Sequence, residues 1–223
     1  MSIRPLAVAA LAAAALTWTS AARAITLDYQ SLPDQSSSSI VQVAGGVAVT
    51  AHAFGGVVNP QASMTPTGTP AGFTALDVNV GGSSLFGTRG LACGPVASQC
   101  DLIAPVGEDA LRLTFSQPVV IDALTLAAVE DADDITWWYW NGSSYVLAGQ
   151  DTCAAFSFCG GNETYTGPFG APSTSWLFVA ENSGASAFAL RSITFTAYPI
   201  PEPGTAALVA LGLAATALRR ARA

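Results

Sequence analysis

Residues 135–147 read ITWWYWNGSSYVL. Over residues 135–140, Ile135, Trp137 and Tyr139 fall on one side of an extended chain, and Thr136, Trp138 and Trp140 on the other. Aromatic and β-branched residues at this density favour a strand. Asn141-Gly142 follows, and Ser144, Tyr145, Val146 and Leu147 resume the extended pattern. Asn-Gly between two such runs is a strong hairpin signal, because both residues tolerate the positive φ of a type I′ turn. The first side is expected to face the core and the second to face outward.

The same grammar extends in both directions. Leu111, Leu113 and Phe115 alternate, and Pro118 is expected to separate that strand from another over residues 119–129. Residues 40–50 form a Val-rich run interrupted by Gly45-Gly46, which predicts a bulge or tight hairpin. Further strands are expected over residues 25–29, 176–180 and 188–198. No sustained helical period appears between residues 25 and 198, and Gly, Pro, Ser and Asn punctuate the chain every few residues. This predicts an all-β fold, a single jelly-roll-like β-sandwich spanning residues 25–198.

The two flanks differ from this middle. Of 223 residues, 51% are apolar and 10% charged, and the ends hold much of the Ala- and Leu-rich sequence. Arg4, the run LAVAALAAAAL over residues 6–16, and Ala22-Arg23-Ala24 follow the order of a secretory signal peptide. Cleavage is expected after Ala24, with Ala22 the alternative, and a single Arg4 points to the Sec route. At the other end come Pro201-Glu202-Pro203, an apolar run over residues 205–218, and Arg219-Arg220-Ala221-Arg222. Proline tolerates only the first turn of a helix, so the triplet marks where a transmembrane helix would begin. The terminal arginines would remain cytoplasmic, leaving the middle outside.

That order of parts resembles the PEP-CTERM sorting signal of Gram-negative bacteria, over residues 199–223. The resemblance implies recognition by exosortase, a membrane protease, processing near Pro201-Glu202-Pro203, and delivery to the outer surface. It implies an inner-membrane anchor before processing, and hosts that make an extracellular polysaccharide. Residues 107–132 (GEDALRLTFSQPVVIDALTLAAVEDA) and 188–198 (FALRSITFTAY) are similar to a β-sandwich that recurs among PEP-CTERM proteins. That similarity implies a fold, not an activity.

Between residues 25 and 198 three arginines stand against fourteen acidic residues, a net charge of −11. Such a surface repels phosphate backbones and excludes nucleic-acid binding. Cys93, Cys100, Cys153 and Cys159 are expected to form two disulfides in an oxidising compartment. Three pairings are open, and the short spacings favour Cys93–Cys100 and Cys153–Cys159. Zinc is disfavoured by those spacings and by His52 being the single histidine.

Glu130, Asp131, Asp133 and Asp134 crowd carboxylates into one loop, a candidate calcium site with Glu108 and Asp109 as further donors. Trp138 and Trp140, if outward, offer a platform for sugar rings. No Gly-x-Ser-x-Gly elbow accompanies His52. Paired carboxylates for glycoside hydrolysis could be drawn from Glu108, Asp109, Glu130 and Glu163. The expected role is non-catalytic: a structural or adhesive surface or matrix component associated with polysaccharide. The alternatives are a calcium-dependent carbohydrate-binding module and, third, a glycoside hydrolase.

Overall fold

The computed structural model describes residues 23–57, 64–69, 74–82, 89–93, 100–101, 108–129, 134–152, 161–180, 187–198, 212–213 and 220. In chain order the strands are β1 (Ala24–Asp28), β2 (Gln35–Ser37), β3 (Ile40–Ala44), β4 (Val47–Val57) and β5 (Thr74–Leu76). They continue as β6 (Val78–Gly82), β7 (Arg89–Cys93), β8 (Cys100–Asp101) and β9 (Glu108–Val129). The last four are β10 (Asp134–Trp140), β11 (Tyr145–Thr152), β12 (Gly161–Ala180) and β13 (Ala187–Ala197). The described domain is therefore all-β, with its 13 strands in one hydrogen-bonded network.

Two long strands organise that network. β9 and β12 run antiparallel from Gly161 opposite Val129 to Val179 opposite Ala110. The other edge of β9 changes partner along its length. Residues 108–115 pair with β4, and residues 119–127 pair with β13. One half of the network thus continues from β12 to β10 and β11, and from β4 to β3 and β5. The other half continues from β13 to β1, to β8, and through β7 to β6 and β2.

Pro118 does not end a strand as its sequence context predicts. β9 runs straight through it, because Pro118 falls where the ladder already has a gap: β12 steps from Ser175 opposite Thr114 to Ser173 opposite Val119. A residue without an N–H costs no hydrogen bond there. Its carbonyl is still used, accepting from Tyr198 N at 2.8 Å. β12 shifts register over the same stretch, between Thr166 and Ser173, around the cis Gly167-Pro168 bond.

Both predicted turns exist. Gly45 and Gly46, with φ of 57° and 81°, close a two-residue hairpin between Ala44 and Val47. The Asn141-Gly142 hairpin is longer than the two-residue form. Trp140 pairs with Tyr145 across a four-residue loop, and Asn141 Oδ1 accepts from Ser143 N at 2.9 Å and Ser144 N at 3.0 Å. The Asn side chain organises this loop in place of a type I′ backbone.

The main core draws on both halves. Leu111, Leu113, Trp137, Trp176 and Phe178 come from one, and Val119, Ile121, Leu124, Leu190 and Phe195 from the other. Phe115 meets Phe195 edge-on at 5.3 Å between centroids. At the C-terminal end residues 212–213 and 220 are helical. Among the described residues no helix is long and apolar enough to cross a membrane.

Candidate functional site

Strand parity places a second set of side chains on the opposite face of the β4–β9–β12–β10 half. In β4, Val49, Ala51 and Ala53 enter the main core, so His52 and Phe54 point to the other side. His52 is directly opposite Arg112, and Phe54 opposite Ala110. Arg112 is in turn opposite Leu177, which is opposite Trp138. Phe54, Met64, Ala110, Trp138, Tyr145, Leu177 and Val179 form a second buried apolar cluster. Met64 brings the segment at residues 64–69 over this face.

Arg112 ties that segment down. It is 2% exposed, and its Nη1 donates to the carbonyls of Thr65 and Gly68, each at 2.9 Å. The guanidinium carbon stands 4.7 Å from the centre of the Phe54 ring, a cation–π distance. Nε is buried without an acceptor among the described residues. Beside it opens a recess of about 240 Å³ bounded by Ser38, His52, Phe54, Gly68, Thr69 and Arg112, with no Asp or Glu among its described lining residues. Burial, and then the Arg112 charge, lower the His52 pKa, against a hydrogen bond to the Ser38 backbone that raises it. Burial also lowers the Arg112 pKa below its ordinary value.

Trp138 lies on the face its position in the strand predicts, but that face is covered. The ring is 5% exposed and its Nε1 donates to Thr136 Oγ1 at 2.9 Å. A buried ring cannot stack on a sugar, which corrects the outward placement expected for Trp138. Trp140 is half-buried, edge-on to Tyr145 at 5.3 Å.

Of the proposed calcium ligands, Glu130, Asp131 and Asp133 lie outside the described residues. Asp134 opens β10, opposite Thr152. Among the described residues no three His, Cys, Asp or Glu side chains gather as a metal cluster. Of the candidate hydrolytic carboxylates, Glu130 lies outside the described residues, and the backbone positions of two others are far apart along β9. Glu108 pairs opposite Val57 at the start of β9, whereas Glu163 pairs opposite Leu126 near its end. Glu163 instead accepts from the Tyr165 hydroxyl, whose pKa is raised by burial and by the Glu163 and Asp151 carboxylates.

Cys93 is buried at the end of β7 and is half of a disulfide. Cys100 opens β8, opposite Phe188, while Cys153 and Cys159 lie outside the described residues. So do Pro201, Glu202 and Pro203.

The Arg112 recess is the feature that sequence reasoning missed. Its one signal was an arginine inside the alternating run LRLTF (residues 111–115), on the face opposite Leu111 and Leu113. No curated protein is detectably similar to the chain. A family profile does match its C-terminal end, and on that match the chain carries a PEP-CTERM protein-sorting motif at residues 199–222, the mark of an exported, exosortase-directed protein.

Proposed function

We propose that residues 25–198 form a β-sandwich displayed at the cell surface or in the extracellular matrix, with a non-catalytic structural or adhesive role. The sorting motif at residues 199–222 carries this reading. The fold agrees with it: two halves of one strand network enclose a shared core, the arrangement of a sandwich. Removal of residues 1–24 as a Sec signal peptide would leave β1 paired with β13 from Ile25 onward. A helix formed by the apolar run at residues 205–218 would hold the chain in the inner membrane until exosortase acts.

The pairing Cys93–Cys100 fits the topology, because β7 and β8 both lie along β13, at Leu190 and at Phe188. Two such bonds would suit a domain working outside the cell.

Two measurements test the reading. Surface display should be lost in an exosortase-deficient host and in a Pro201→Ala, Glu202→Ala, Pro203→Ala chain. Unchanged display in both would remove exosortase from the account. The purified protein is then incubated with its host's extracellular polysaccharide, first with calcium and then with chelator. Binding in both conditions supports the adhesive role. Binding only with calcium moves the assignment to a calcium-dependent carbohydrate-binding module, with residues 130–134 the first to mutate. Polysaccharide turnover would overturn the non-catalytic reading.

A further inference from the structure

We infer that, while the chain is anchored, the domain docks on the lipid surface of the inner membrane through one uncharged corner. Its acidic end then points away from the bilayer. The inference rests on the anchor proposed for residues 205–218.

The corner is where β9 and β12 pass from one half of the network to the other. On one side of that bend Val49 of β4 is opposite Phe115, and on the other Ala197 is opposite Val119. Both flanks of the domain leave from here, since Ala24 is opposite Thr196 and Tyr198 N donates to the Pro118 carbonyl. The β3–β4 hairpin reaches the same place. Ala48 N donates to Ser116 Oγ at 3.0 Å, and a Cβ on Gly45 would come within 2.5 Å of the Ile25 side chain. Ser173 Oγ donates to the Trp140 carbonyl, which brings the loop at 141–144 there as well. Six residues, 199–204, separate Tyr198 from the apolar run. Fully extended they span about 20 Å, so the corner is held close to the bilayer.

Charge separates the two ends of the domain. Residues 24–27, 43–48, 116–121, 140–144, 167–173 and 195–198 surround the bend without one charged residue. Two charges border them. Asp122 is half-buried and accepts from Thr196 Oγ1 at 2.7 Å. Arg23, which cleavage after Ala24 would remove, has the sign that an anionic surface attracts. At the opposite end Asp101 is opposite Ala187, Glu108 opposite Val57 and Asp134 opposite Thr152. An anionic bilayer repels that end.

Exposed apolar side chains follow the same division. Leaving aside Leu213 in the tail, the large ones on the described domain are Val41, Val43, Leu147 and Tyr198. All but Leu147 lie at the bend, Val41 and Val43 flanking Gln42, which is opposite Val49. A tyrosine, apolar in its ring and polar at its tip, suits the headgroup layer.

The test uses protein purified in detergent from an exosortase-deficient host, so that residues 199–223 remain. It is reconstituted into vesicles of phosphatidylethanolamine and phosphatidylglycerol. The photocrosslinker p-benzoylphenylalanine replaces Val43 in one preparation and Asn162 in another; both are exposed, and Asn162 lies toward the opposite end, across from Ala127. Lipid adducts, read by mass spectrometry, are expected about fivefold or more higher at position 43. Tyr198→Glu should lower the adduct at position 43 about fivefold, the effect of one charge near an anionic surface. A Gly/Ser insertion of about twenty residues after Tyr198 frees the domain from its short tether. Position 43 should still label more than position 162, because the corner itself holds the lipid. Loss of the protein from vesicles washed in alkaline carbonate would overturn the anchor and the docking with it. Protein that stays with the vesicles but labels equally at both positions, with either tether, would overturn the docking alone. So would an adduct indifferent to Tyr198→Glu.

Discussion

The two faces of the β4–β9–β12–β10 half are both buried, yet they treat polar atoms in opposite ways. On the face that enters the main core, Trp137 Nε1 and Trp176 Nε1 are buried without acceptors among the described residues. On the outer face Trp138 Nε1 donates to Thr136, and the Tyr145 hydroxyl shares a 2.6 Å hydrogen bond with Ser175. The main core uses its aromatic rings as volume, and their unpaired N–H groups are a cost it absorbs through packing. The outer face is covered in part by residues 64–69, and among its described residues the buried tips of Trp138 and Tyr145 have partners while Arg112 Nε has none. Stability should therefore depend on volume on the first face and on hydrogen bonds on the second.

The largest effect expected from that contrast is at Trp176, fully buried in the main core. Trp176→Ala should cost about 3–5 kcal/mol in chemical denaturation, from lost apolar burial and the cavity left behind. Trp176→Phe retains most of the ring and removes the orphaned N–H, so it should cost well under half as much. If the two variants were equally damaging, volume would not be what this face supplies.

Gly149 sharpens the same point from the opposite direction. It pairs with Trp137, and a Cβ at this position would come within 2.5 Å of the indole ring. Gly149→Ala should destabilise by about 1–3 kcal/mol, because the ring is packed and cannot simply turn away. A neutral outcome would show that the Trp137 pocket is loose.

On the outer face the expected effects are smaller and polar. Tyr145→Phe preserves the ring and its edge-on contact with Trp140 while deleting the bond to Ser175. A loss of about 1 kcal/mol is expected. Ser175→Ala in the Tyr145→Phe background should then add little, since the partner it served is already gone. Additive losses would mean that the two hydroxyls do not depend on each other.

Much of this contrast was legible as parity and little of it as cover. The alternation in residues 135–140 correctly separated Ile135 and Trp137 from Thr136 and Trp138, since both sets follow the register. It could not show that the second set is covered, because the covering residues, TPTGT at 65–69, carry no periodic signal linking them to any strand. Arg112 is hidden for the same reason: an arginine on the polar side of an alternating strand reads as solvent-facing. Pro118 misleads differently. Proline signals a break only where an N–H is needed, and whether the neighbouring ladder supplies an acceptor there is decided by β12, far away in sequence. The sorting motif was legible in full because its meaning lies in the linear order of its parts, without any partner strand.

The smallest effect expected is at His52, and its sign follows from its surroundings. Burial and the Arg112 charge hold its pKa below the ordinary value of 6.5 in the folded state. The unfolded chain therefore binds a proton more readily, and stability rises with pH through the window between the folded value and 6.5. The contribution is complete above that window and is lost progressively as pH falls through it. His52 is the chain's single histidine, so the carboxylates that also titrate on acidification are common to the wild type and a His52→Gln chain. The difference between their denaturation midpoints, followed from about pH 7.5 to about pH 5, isolates this one group. The wild type should lose slightly more stability than the variant on acidification. A parallel decline would mean that His52 is as well solvated folded as unfolded, and that the recess beside Arg112 is more open to water than its lining implies.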